Sequence, residues 1–151
     1  IRAGVGKEVT LEVGGKIDKI HSQPVKVTGR VRKITDGRFV VQGPMTKGLE
    51  ANMKRTVVLE VNDIYIVLSE APGPGHDPSL YRSVGLEPRE AKIVVVKSPM
   101  GFRAAYEPFA KEILIVDGPG AASPDIQSLF PLYKRIPRPI FPLDKDTTFE
   151  I

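Results

Sequence analysis

The 151 residues contain no cysteine and no tryptophan. Without cysteine there are no disulfides, no zinc–thiolate sites and no thiol nucleophile. No apolar run approaches the roughly 18 residues needed to span a bilayer, and no signal-peptide pattern opens the chain. No membrane partner is therefore expected, and the expected compartment is the cytoplasm. Amide side chains are scarce: Asn52, Asn62, Gln23, Gln42 and Gln127, against 14 prolines. That balance leans towards a heat-adapted source. An initiating methionine is missing too, since the chain opens on Ile1 and runs almost directly into a strand-like pattern. The expectation is a sequence that begins inside a longer polypeptide.

What is present is ordinary for one globular domain over residues 1–151: 41% hydrophobic and 26% charged residues, enough for a hydrophobic core. The net charge of +4 comes from basic residues dispersed among 18 acids. Dispersal describes a solvated surface better than a nucleic-acid footprint, so no nucleic-acid partner is expected.

The first half reads as antiparallel β. Val9, Leu11 and Val13 alternate with Glu8, Thr10 and Glu12, the period of two of a half-buried strand. Val25, Val27 and Val31 repeat the pattern. Asp36-Gly37 follows, a pair suited to a tight type I′ turn, and residues 39–41 are expected to return as the partner strand. A second hairpin is expected at Asn62-Asp63, between residues 56–61 and 64–69.

The second half changes pattern. Residues 64–68, 93–96 and 113–116 are continuous apolar, β-branched runs, the signature of strands buried on both faces. Each is followed by a capping residue and a proline: Asp77-Pro78, Ser98-Pro99 and Ser123-Pro124. A short polar side chain accepts bonds from the first free helix amides, and proline one position on loses no bond. Short helices are expected over 78–84, 99–107 and 124–129, with Pro108 ending or kinking the second. The fold class is thus α+β: N-terminal antiparallel hairpins joined to a C-terminal βαβαβ parallel segment in one mixed sheet. Residues 133–143, YKRIPRPIFPL, suit neither helix nor central strand and read as an extended proline-rich arm.

Local motifs give no complete catalytic set. Gly4-Val5-Gly6-Lys7 lacks the spacing, the Ser or Thr and the helix of a phosphate loop. Gly73-Pro74-Gly75 lies after a strand and before a helix, where ligand loops occur, but lacks dinucleotide-binding spacing. His21 near Asp18 and His76 beside Asp77 could each pair imidazole with carboxylate, yet two histidines so far apart make a poor metal set. A triad from Ser98, His76 and an aspartate has no nucleophile elbow. Lys97-Ser98-Pro99-Met100-Gly101-Phe102-Arg103 is better placed, at the expected carboxyl end of a buried strand. There Lys97 and Arg103 suit a carboxylate or phosphate. The alternative is that Ser98 caps a helix and Arg103 makes a surface salt bridge. Gly14-Gly15-Lys16 poses the same choice between a ligand loop and a plain turn.

Taken in order, several stretches resemble the C-terminal domain of the MlrC family, the microcystinase C-like proteins. They are GGKID with a following histidine (14–21), VTGRVRKITDGRFV (27–40), GPMTKGLEANM (43–53) and RTVVLEV (55–61). DPSLYRSVGLEP (77–88), IVVVKS (93–98), FRAAYEP (102–108), VDGPGAASPD (116–125) and RPIFPLD (138–144) continue the series. The resemblance implies one part of a longer zinc-dependent hydrolase of peptide or amide bonds. Its metal cluster would belong to an N-terminal domain missing from this chain. Zinc is then expected in the full-length protein and no cofactor in this chain, which alone is expected to be inactive. The resemblance places Lys16, Asp18, His21, Lys97, Ser98, Phe102 and Arg103 facing the missing domain's cleft. Gly101 departs from the family, where a histidine usually precedes FRAA, and Lys54 and Asp63 stand where glycine is usual. The alternative is a non-catalytic module for ligand binding, or for assembly of a homo-oligomer through the arm.

Overall fold

The computed structural model describes residues 1–16, 19, 22–98, 101–116 and 135. The expected 124–129 helix, its Ser123-Pro124 cap, Asp18, His21 and all of the 133–143 arm but Arg135 lie outside the described residues. The chain divides into two units, Ile1–Val13 with Val25–Leu114, and Gly14–Pro24 with Ile115–Ile151.

The first unit is a mixed α+β domain, mostly strand. Its strands are β1 (Glu8–Val13), β2 (Val25–Thr35), β3 (Arg38–Val40), β4 (Glu50–Asn52), β5 (Thr56–Val61) and β6 (Ile64–Ser69). Two short helices follow, α1 (Ser79–Ser83) and α2 (Arg103–Tyr106), separated by a 3₁₀ turn at Pro88–Glu90. Four strands form one antiparallel sheet in the order β1-β2-β5-β6, and β3 and β4 form a separate pair. No helix among the described residues is long and apolar enough to cross a membrane.

Along β1, Val9, Leu11 and Val13 are half-buried while their neighbours are exposed, as the alternation predicts. β2 runs for 11 residues because it serves two partners. Its first half pairs with β1 and its second with β5, with a bulge between Val31 and Lys33 where the pairing changes register. A bulge sharpens local twist and lets one strand turn between neighbours. The core gathers Val31, Val58 and Leu59 from this sheet with Val41, Met53, Val84, Phe102 and Tyr106. The adjacent residues Val58 and Leu59 are both fully buried, so both faces of β5 are covered there.

The Asn62-Asp63 hairpin forms as predicted, pairing Val61 with Ile64, with Asn62 at φ 53°. Asparagine tolerates this left-handed conformation better than most residues. The other expected hairpin is corrected. Asp36-Gly37 does turn the chain, but β3 pairs with β4 rather than with β2. The Arg38 amide donates to Asp36 Oδ1 at 3.1 Å and the Gly37 amide to Thr35 Oγ1 at 3.3 Å. These local bonds satisfy the amides that a β2–β3 ladder would use. Gly37 at φ 73° packs on the Lys54 carbonyl, where no Cβ would fit.

The parallel βαβαβ arrangement is also not what the described residues form. β6 is antiparallel to β5, and residues 93–96 and 113–116 lie in no strand. Ile93 is 82% exposed and Val95 81%. Continuous apolar composition records what a segment is suited to, whereas a strand also needs a neighbouring backbone.

Lys54 holds φ 57° with an exposed side chain, a conformation that disfavours any residue with a Cβ. Lys54→Gly is therefore expected to raise unfolding stability by about 0.5–1 kcal/mol. Gly37→Ala should lower it by about 2 kcal/mol or more. Urea denaturation checks both, and a destabilised Lys54→Gly would contradict the assignment of strain.

Candidate functional site

α1 is closed at both ends by local bonds. Asp77 Oδ1 accepts the Ser79 amide at 2.9 Å across Pro78, the capping role that the sequence predicts for Asp77-Pro78. At the far end the Gly85 amide donates to the Arg82 carbonyl and the Leu86 amide to the Tyr81 carbonyl. With Gly85 at φ 84°, this is a Schellman closure. The segment that leaves β3 crosses the start of α1, where the Gln42 amide donates to Ser79 Oγ at 3.0 Å.

Between that crossing, α1 and α2 lies a cleft of about 310 Å³ whose wall includes Gly43, Asp77, Arg82, Arg89 and Phe109. The volume falls in the range of small-molecule pockets. Asp77 is 1% exposed, and its second carboxylate oxygen, Oδ2, has no hydrogen-bond partner among the described residues. Gly43 lies directly on that oxygen, and a Cβ there would collide with it. The Tyr106 hydroxyl is likewise buried and unpartnered among the described residues. Burial pushes its phenol far above the ordinary range, with Tyr81 and Asp77 adding and Arg82 opposing. It therefore stays protonated and can donate a hydrogen bond.

Arg82 reaches Glu87 through two bonds of 2.8 and 3.1 Å. That pairing holds the guanidinium charge firmly and keeps the Glu87 carboxyl below its usual range. Arg89 lies over the Phe109 ring, 5.2 Å from its centroid, a cation–π placement. The cleft therefore sets two guanidinium groups beside a buried carboxyl group with spare bonding capacity.

The residues predicted from sequence fall in both units. Lys16 is exposed in the second unit. There Gly15, at φ 59°, packs against Pro24 with no room for a Cβ, so this glycine is required by the turn. In the first unit Lys97 is exposed, Ser98 half-buried and Phe102 part of the core. Arg103 is exposed, 3.7 Å from Glu107 at the C-terminal end of α2, and its guanidinium lies 5.7 Å from the Phe102 ring centroid. The surface salt bridge weighed for Arg103 is therefore present.

Segments that the sequence keeps apart meet here. Gly75, in the Gly73-Pro74-Gly75 loop, packs on the Lys97 carbonyl, and Gly101 packs on the side chains of Met45 and His76. His76 Nε2 and Thr46 Oγ1 share a hydrogen bond of 3.0 Å. Adjacency in sequence suggested a His76–Asp77 pairing; instead Asp77 serves α1 and His76 serves Thr46. Arg82 and Arg89 line the cleft without having been singled out as site candidates in the sequence. Among the described residues no three His, Cys, Asp or Glu side chains come together as a metal site, so these residues do not fit a zinc ion.

Three comparisons bear on this geometry. The family model described as "MlrC C-terminus" matches residues 1–131. "Microcystinase C" from Sphingomonas sp. is 27% identical over 142 residues, covering 94% of this chain and 26% of that protein. A solved structure from Mesorhizobium sp. BNC1, of a protein classed provisionally as a metallopeptidase, superposes with a TM-score of 0.77 at 27% identity. It covers 99% of this chain and 29% of that one. The chain thus spans well under a third of each relative's length.

The Tyr106 phenol gives a pH prediction. The folded state prefers the protonated form, so its contribution is complete below the unfolded pKa near 10 and is lost as pH rises above it. Melting temperature is expected to fall as pH rises above about 10, less steeply in Tyr106→Phe. At pH 8 Tyr106→Phe should be neutral or stabilising by up to about 1 kcal/mol, because no bond is lost. A clear loss of stability at pH 8 would show that the hydroxyl has a partner.

Proposed function

We propose a function from one premise: the chain belongs to the MlrC C-terminus family. It acts as the C-terminal part of a zinc-dependent hydrolase of peptide or amide bonds and completes an active-site cleft whose metal is held by an N-terminal domain of the same polypeptide. The observation that carries this reading is the match to Microcystinase C across 94% of the chain. Zinc, when bound, would polarise the scissile carbonyl and activate water, held by residues other than those described here.

This chain's part is to bind and orient. Lys97 presents an exposed ammonium from a loop cluster braced by Gly75, suited to a substrate carboxylate or carbonyl oxygen. Arg103 offers a second cation from α2, and Phe102 anchors that helix in the core. Lys16, Asp18, His21 and Ser98 complete the set assigned to the cleft of the N-terminal domain. The enzyme would work in the cytoplasm.

A non-catalytic ligand-binding module is the second reading, favoured by the cleft with Arg82 and Arg89. The two separate in the full-length polypeptide. Lys97→Met is expected to lower kcat/KM for a linear peptide roughly tenfold or more while bound zinc stays unchanged. Unaltered kinetics in Lys97→Met and Arg103→Met alike would contradict the cleft role and leave the binding module.

A further inference from the structure

Residues 93–98 have the burial pattern of a strand but lie in no sheet among the described residues. Burial alternates along them with a period of two: Ile93, Val95 and Lys97 are exposed, and Val94, Val96 and Ser98 half-buried. That alternation marks extended backbone. Among the described residues no backbone–backbone hydrogen bond involves residues 92–98. The Val95 carbonyl alone is held, by the Tyr81 hydroxyl at 2.6 Å, which fixes the segment against α1. A run of amides without a backbone partner among the described residues, carrying two bare β-branched side chains, is a template for another strand.

We propose that residues 93–98 pair with a β-strand from the remainder of the full-length polypeptide, which buries Ile93 and Val95 and so docks this unit onto the domain assigned the metal. The inference rests on the hydrolase reading for the identity of that domain. Three observations select the occupant. The segment is apolar on both faces, which suits a strand inside a covered sheet rather than one receiving a short peptide. Leu114, in the same unit, is 74% exposed, so the apolar surface awaiting cover extends beyond one segment. The relatives have the chain to supply that cover, since this unit's chain spans 26% of one and 29% of the other. Lys97 and Ser98 end the segment, so pairing would carry them to the boundary between the two domains.

The test uses the full-length polypeptide, with p-benzoylphenylalanine in place of Ile93 for photo-crosslinking and amide hydrogen exchange on the unaltered protein. The expected cross-link maps outside the 151 residues and within the same molecule. Amides of residues 94–97 should exchange roughly 100-fold or more slowly than in an unfolded chain, independently of protein concentration. A cross-link within the 151 residues, or exchange at free-chain rates, would overturn the proposal. So would protection that grows with concentration, which would place a second copy on the segment. Peptide hydrolysis is assayed on the same preparation. An intact cross-link without hydrolysis would sink the hydrolase reading alone, whereas hydrolysis without the cross-link would sink only the docking.

Discussion

The pairing of β2 with β5 is the constraint on which the first unit depends. Val31 from β2 and Val58 and Leu59 from β5 are almost wholly buried, and truncating a side chain of Leu59's kind costs about 2–5 kcal/mol. The two strands approach so closely that Gly29 has no room for a Cβ between the Glu60 carbonyl and the Val61 side chain. β1 and β6 add to the outer edges of this pair. The bulge in β2 allows one long strand to serve both neighbours.

From that sheet the chain is delivered to the cleft by turns with local chemistry. Gly37 turns it out of β2, and the Gln42 amide then ties the exit of β3 to Ser79. α1 is only five residues long, too short to persist by its own propensity. It is held by Asp77 at one end, by the Gly85 closure at the other and by packing against β3. Gly43 and Asp77 must fit each other for the cleft to exist, and the buried carboxylate is kept beside the Arg82–Glu87 pair. The same elements that close the core thus set the polar groups of the cleft.

Legibility in the sequence followed the range of the interactions. β1 and the β5–β6 hairpin were readable because alternation and a two-residue turn are local signals. The Asp77 capping bond was readable for the same reason. The partner of β3 was not, since Asp36-Gly37 marks a turn without saying which strand comes next. Residues 93–96 suggest a buried strand by composition, yet they pair with no strand among the described residues. In the candidate site, Lys97 and Arg103 could be named from charge beside a proline and a short helix. The meeting of His76 with Thr46, and of Tyr106 with the Asp77 and Arg82 neighbourhood, spans too much sequence for any motif to reveal.

The proposed function is a division of labour, with the metal chemistry assigned to another part of the polypeptide and substrate binding to this one. The most direct measurement of that claim compares peptide hydrolysis by the full-length polypeptide with that of a version lacking the segment equivalent to these 151 residues. The account predicts that the shortened protein still folds and holds its zinc but loses hydrolysis by roughly 100-fold or more. Full hydrolysis by the shortened protein would contradict it.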